Sequence, residues 1–155
     1  MNGFSHDETI EHGDGAESPV LMAAALTGGC LCGATRFSVS AFPRVHYCHC
    51  SMCRKATGGA FAVLGWVPRD SLKWQVDKGR KIFRSSPIAL RSFCAACGTP
   101  LTLDYDEDRR EIALHVGAFD DPATLTPLYH YGVEGRLAWA DTHDGLPETA
   151  SKEQW

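Results

Sequence analysis

The segment Phe93-Cys94-Ala95-Ala96-Cys97-Gly98-Thr99 holds two thiols separated by two residues and followed by a glycine. Two thiolates so spaced can grip one ion from a tight turn. Gly98 permits the positive φ that lets the following backbone N–H groups approach the sulfurs. A second pair lies upstream in Cys30-Leu31-Cys32-Gly33. On an extended chain, residues two apart point to the same side, so this pair can also share an ion. Together Cys30, Cys32, Cys94 and Cys97 make a closed four-thiolate structural site of the kind zinc prefers. The pairs are separated by 61 residues, 33 to 93, so a shared ion would pin two remote segments of one domain. The plainer alternative is that Cys30 or Cys32 serves only as a small buried apolar side chain.

Between the pairs stands Cys48-His49-Cys50-Ser51-Met52-Cys53. Three thiolates do not complete a tetrahedron, and three protein ligands with one open position is the arrangement of a catalytic zinc. Soft thiolate donors favour zinc over magnesium or calcium. His46, two residues before Cys48, would close the tetrahedron in an alternative structural arrangement. His49, between two ligands on an extended segment, is expected to point away from the ion. An iron–sulfur cluster normally takes four cysteines, which places it behind zinc. The expected cofactor is therefore zinc, two ions per chain. Arg54 and Lys55 follow the cluster directly and are candidate contacts for a substrate carboxylate. Arg54 is favoured, because a guanidinium binds a carboxylate through two bonds.

The 155 residues suit one domain with its own core. The seven cysteines are odd in number, and none stands more than three positions from another. In a reducing compartment, such clustering points to metal or catalysis rather than disulfides. The net charge of −4 argues against nucleic acid as a partner. The longest apolar run, Val20 to Leu26, is too short for a bilayer span of about twenty residues. No Lys or Arg precedes Arg36, so the positive region of a secretory signal is missing, and a cytoplasmic location is expected. Five acids and no Lys or Arg fall in the first eighteen residues, leaving 14 of the 19 acids against all 15 bases in the rest. The chain divides into an acidic, flexible tail over 1–22, a zinc domain over 23–150 and a short tail over 151–155. Within the domain, Arg69 to Arg91 is locally basic and Asp104 to Asp121 locally acidic.

Alternating or apolar runs at Ala34–Ser40, Ala60–Val67, Ala89–Phe93, Leu101–Tyr105 and Glu111–Phe119 read as strands. Turn signals at Gly58-Gly59, Pro68-Arg69-Asp70, Ser86-Pro87 and Asp120-Asp121-Pro122 separate them. Ser51 to Thr57 has room for one short helical turn. The fold class expected is mainly β.

Taken in order, Cys30–Gly33, Cys48–Gly58 and Phe93–Thr99 resemble the glutathione-dependent formaldehyde-activating enzyme (GFA) family. Gly117–Pro122, His130, Trp139 and Leu146-Pro147 are similar to that family's C-terminal half, so the resemblance covers roughly Thr27 to Glu148. It implies an Mss4-like fold of small twisted antiparallel sheets pinned by zinc. It also implies a structural zinc on Cys30, Cys32, Cys94 and Cys97 and a catalytic zinc on Cys48, Cys50 and Cys53. The family name implies joining of glutathione, a small-molecule thiol, to an aldehyde, formaldehyde, giving S-(hydroxymethyl)glutathione in a carbon–sulfur lyase-type reaction. The alternative of another class is a non-catalytic, zinc-stabilised Mss4-like binding module, favoured if His46 is a fourth ligand.

Overall fold

The computed structural model describes Ala25–Lys152; the acidic tail expected over 1–22 lies outside the described residues. The described strands are β1 (Leu26–Gly29), β2 (Thr35–Val39), β3 (Arg44–Cys48), β4 (Ala62–Pro68), β5 (Leu72–Asp77), β6 (Arg80–Arg84), β7 (Ala89–Cys94), β8 (Pro100–Tyr105), β9 (Glu111–His115), β10 (His130–Tyr131) and β11 (Glu148–Thr149). The one α-helix among the described residues, α1 (Ser51–Thr57), occupies the expected helical turn. Its end is set by Gly58, whose left-handed φ of 71° turns its N–H back to the Arg54 carbonyl. No described helix is long and apolar enough to cross a membrane.

The strands form two sheets. The smaller has the order β1-β2-β5, and the larger runs β11-β10-β3-β4-β9-β8-β7-β6. Pairing is antiparallel except at β10, which is parallel to both β3 and β11. The exception has a simple cause: β10 is reached by a long connection after β9 rather than by a hairpin, and only such crossovers allow parallel neighbours. Hairpins supply most of the rest, as in β6-β7-β8. The strand expected over Glu111–Phe119 stops at His115. Val116–Ala118 closes a 3-10 turn, with the Phe119 N–H returning to the Val116 carbonyl, and this delivers Phe119 to the core.

The smaller sheet lies against one face of the larger, and the main core fills the space between them. Phe37 is fully buried at its centre. Its ring meets Trp74 edge-on at 5.9 Å and Phe119 edge-on at 5.1 Å, so one side chain ties β2 to β5 and to the turn after β9. Gly28 makes this possible. A Cβ there would sit 2.4 Å from both the Ala118 carbonyl oxygen and Phe37 Cζ. Along β9 the side chains alternate between two cores: Ile112 and Leu114 join Phe37's, whereas Ala113 joins a second cluster with Leu64, Leu103 and the three central cysteines. The locally basic and acidic stretches of the sequence meet in space. Arg69 pairs with Asp104, and Arg84 pairs with Asp106 at 2.5 Å.

Because Phe37 is shared by three elements, Phe37→Ala should cost about 3–5 kcal/mol, the usual range for a buried phenylalanine. Urea unfolding of the zinc-loaded protein would read this as a lower midpoint with an unchanged slope. A loss below about 1 kcal/mol would show that the sheets are not held together through this ring.

Candidate metal centres

The first centre joins the two sheets. Cys30 directly follows β1, and Gly33, at φ 79°, closes the turn with its N–H on the Cys30 carbonyl at 3.1 Å. Cys94 ends β7, and Gly98, at φ 78°, returns its N–H to the Cys94 carbonyl at 2.7 Å. These are the two glycines whose positive φ the turns require. The Leu31 N–H donates to Thr99 Oγ1 at 3.1 Å and latches one turn to the other. All seven cysteines are free thiols. The Cys30, Cys32, Cys94 and Cys97 sulfurs lie within 4.8 Å of one another, with Cys30–Cys32 at 3.6 Å and Cys32–Cys94 at 3.7 Å. A zinc ion bonded to sulfur at about 2.3 Å in a tetrahedron separates its sulfurs by about 3.8 Å, so this cluster has the dimensions of a zinc site. Gly79 leaves the space: a Cβ on it would be 2.9 Å from Cys94 Sγ.

The second centre is built from one short segment. Cys48 is the last residue of β3, Cys50 caps α1, and Cys53 lies in the helix's first turn. The Cys53 N–H donates to Cys50 Sγ at 3.3 Å, so the cap and the ligand geometry are one feature. Cys48 and Cys50 sulfurs are 3.6 Å apart, and all three thiols are buried within 4.8 Å of one another. Crowding separates their acidities. Hydrogen bonds from Cys48, then Cys53, hold the Cys50 thiol far down, at about 2, while the Cys48 thiol is pushed up, first by Cys50. No described histidine or carboxylate brings a ligand atom within reach of all three sulfurs. His46 is held elsewhere. Its ring stacks on Tyr129 at 5.0 Å and on Trp66 at 6.5 Å, and burial lowers its pKa to about 4.

The surroundings come from distant parts of the chain. Arg91 on β7 is 4% exposed, and its Nη2 donates to Cys53 Sγ at 3.3 Å while its Nε donates to Ser85 Oγ at 3.2 Å. His49 turns away from the sulfurs, as expected for a residue between two ligands. Its Nε2 lies 2.8 Å from His130 Nδ1, and His130 Nε2 lies 3.0 Å from Asp144 Oδ1. That hydrogen bond holds the Asp144 carboxyl at about 2, below the ordinary range. The parallel pairing of β10 on β3 sets Tyr131 opposite Cys48 and so brings this histidine chain to the metal loop. Of the two bases after the cluster, Arg54 donates through Nε to the His49 carbonyl at 3.3 Å. Lys55 instead lines a cavity of about 810 Å³, together with Met52, Phe83, Ser85 and Arg91. A second cavity, of about 210 Å³, has Cys48, His46, Trp66 and Tyr129 in its wall.

Arg91 was the residue least visible from sequence as part of this site. The signal that marks it is parity: on the strand expected from Ala89 it shares the inward side with Ala89, and a charge at an inward position asks for a partner.

A sequence model described as glutathione-dependent formaldehyde-activating enzyme matches residues 25–134, which is most of the chain and includes all seven cysteines. An Aspergillus flavus protein named "Putative glutathione-dependent formaldehyde-activating enzyme" is 32% identical over 132 residues, covering 81% of this chain and 69% of its own. An uncharacterised lyase of Schizosaccharomyces pombe is 27% identical over 100 residues, covering 64% and 72% respectively. A solved structure of a Rhodobacter sphaeroides protein superposes with a TM-score of 0.51 at 19% identity, covering 79% of this chain and 98% of that one, a likeness of fold. The match over residues 25–134, which holds both cysteine pairs and the triplet, places the chain in the glutathione-dependent formaldehyde-activating enzyme family.

Proposed function

We propose that the protein is a zinc-dependent carbon–sulfur lyase of the S-(hydroxymethyl)glutathione synthase type, with glutathione and formaldehyde as the substrate pair. The observation that carries this reading is a buried group of three sulfurs, dimensioned for zinc, with no fourth described protein ligand and cavities on its borders. A zinc ion bound there would supply one position at which a thiol is kept deprotonated. Cys48, Cys50 and Cys53 would hold that ion. Three thiolates on a dication leave a net charge of −1, which favours holding a thiol over strong activation of a carbonyl. Arg91, donating to Cys53, offsets that charge. In the reaction the sulfur adds to the aldehyde carbon as the C=O π bond opens, and the proton released when the thiol binds is balanced by one taken up at the aldehyde oxygen. The reverse breaks the C–S bond, re-forms C=O and returns the proton.

The cavity sizes suit the two substrates differently. About 810 Å³ is within the range of sites for molecules the size of a tripeptide, whereas about 210 Å³ beside Cys48 admits only something small, such as a one-carbon aldehyde. Lys55 is in the wall of the larger one and would meet a thiol's carboxylate there; Arg54, engaged with the His49 carbonyl, is the less accessible of the two. The lack of a fourth ligand side chain among the described residues favours this reading over a zinc-stabilised binding module.

The two centres should respond differently to loss of a ligand. Cys97→Ser breaks a join between remote segments, and structural zinc contributes on the order of 10 kcal/mol coupled to folding. Cys53→Ser loosens only a local segment. Both variants should lose one zinc of two by elemental analysis, with a large fall in melting temperature for Cys97→Ser, a small one for Cys53→Ser, and loss of activity in the latter. Equal melting losses would contradict the division into structural and catalytic centres.

Thiol binding provides the second test. Coordination requires loss of the sulfur's proton, so glutathione should bind the zinc-loaded protein up to about tenfold more tightly per unit rise in pH below the thiol's own pKa. Calorimetric titration at two pH values, with 2-mercaptoethanol as the neutral comparison and Lys55→Ala as the variant, reads both the metal and the charge contribution. Failure of any thiol to bind at millimolar concentration would overturn the proposed chemistry.

A further inference from the structure

His115 is 6% exposed at the end of β9, a setting in which an imidazole is normally hydrogen-bonded. Neither of its ring nitrogens has a hydrogen-bond partner among the described residues. Neither is sealed away, unlike the partnerless nitrogens of His46, His49 and Arg91. The access is to the cavity of about 810 Å³, which His115 lines. Strand pairing gives the ring its direction. His115 lies opposite Leu64 of β4, and cross-strand partners share a face of the sheet. Leu64 packs in the same core as Cys48, Cys50 and Cys53, so the imidazole stands on the face of the second metal centre.

The rest of the wall shows what such a ring can supply. Lys55, Arg84 and Arg91 also line this cavity, and as cations they have no lone pair to accept a proton. The hydroxyls are engaged. Ser92 Oγ and Thr102 Oγ1 are 2.5 Å apart, and Ser85 Oγ accepts from Arg91 Nε and donates to the Ala89 carbonyl. No carboxylate stands among the described residues of the wall. His115 is therefore the one described side chain there with a free basic nitrogen. Burial first, and then the Arg91 charge, lower its pKa to about 4, so the ring is neutral at neutral pH and its lone pair stays available.

We propose that His115 is a catalytic residue: its free ring nitrogen takes the proton that the thiol gives up and returns it to the oxygen of the adduct. This rests on the thiol–aldehyde reading above. The S–H bond breaks with its proton passing to the imidazole nitrogen. The sulfur's electron pair makes the C–S bond, the C=O π pair moves to oxygen, and the proton passes from nitrogen to that oxygen. Nothing is oxidised or reduced, and the imidazole ends neutral as it began. In the adduct the oxygen is two bonds from the sulfur, so one nitrogen can serve both atoms while the ligand stays in place. A coordinated thiol is acidic enough to lose its proton to a weak base, and a weak base passes the proton on readily.

His115→Gln keeps a polar side chain but has no basic nitrogen. In the zinc-loaded protein it should lower kcat for glutathione and formaldehyde about 100-fold or more while leaving KM within about twofold. A merely structural role would instead show as lost zinc or a raised KM. A second measurement needs neither a variant that folds nor turnover. On adding S-(2-hydroxyethyl)glutathione to the unaltered zinc-loaded protein, the imidazole nitrogen resonances of His115 should move. With S-ethylglutathione, which lacks only the hydroxyl, they should move much less. A kcat for His115→Gln within about threefold of the unaltered protein, or ring resonances that do not distinguish the two ligands at saturation, would each overturn the proposal. The two readings fail separately. Turnover that survives His115→Gln keeps the reaction and removes His115 from it. Absence of turnover in the unaltered protein, alongside a hydroxyl-specific shift, removes the reaction and keeps His115 as the group that meets the ligand's hydroxyl.

Discussion

Four sulfurs meet within 4.8 Å of one another although they enter from turns on different sheets. Cys30 and Cys32 sit beyond the end of β1, Cys94 at the end of β7 and Cys97 beyond it, and the Leu31–Thr99 hydrogen bond holds the turns in register. The β1–β2 hairpin has little hydrophobic area of its own, and two-stranded ribbons are marginal in water. Anchoring its tip to the β7–β8 turn fixes how the smaller sheet lies on the larger, and Phe37 then finds Trp74 and Phe119. Gly33, Gly79 and Gly98 each serve this junction, through positive φ or close approach, and Gly28 serves the Phe37 packing beside it.

The loop closed by that junction contains β3, α1 and β4, and thus the whole second centre. Its three sulfurs lie in the other core, on the opposite face of the large sheet from Phe37. On the proposed function, the arrangement separates rigidity from chemistry. One centre holds the sheets, and the other is served by groups that the sheets bring together: Arg91 from β7 against Cys53, and the His49–His130–Asp144 chain against the metal loop. The C-terminal segment approaches that loop at backbone distance. A Cβ on Gly135 would be 2.7 Å from the His49 carbonyl oxygen.

Local signals in the sequence were enough for the cysteine groups, for α1 and for β2, β4, β7 and β8. Each is marked by spacing, by alternation or by flanking turn residues. β5 carries clean alternation, with Leu72, Trp74 and Val76 turned inward, but its Lys73 and Asp77 gave it the look of a charged surface stretch. β6 is largely exposed at the sheet's edge, so its Arg-Lys-Ile-Phe-Arg has no alternation to read. β10 and β11 are two residues each and exist only because remote strands lie beside them. Arg91 and the histidine chain were out of view for the same reason: their partners are 38 and 81 residues away in sequence. The parallel pairing at β10 likewise depends on where a long connection lands.

The unequal reach of the two sulfur groups also fixes an order of events. Cys48, Cys50 and Cys53 span six residues, whereas the other group must close a loop of 61. Closure entropy rises with the logarithm of loop length, and long-range contacts form late in folding. If both groups bind metal as proposed, a nascent or unfolded chain would capture an ion at the local triplet while the distant pairs are still apart. On that reading the second ion would bind only when the hairpins have found each other, so its capture would end folding rather than start it, and a chain short of metal would fill the triplet while the join between the sheets stayed open.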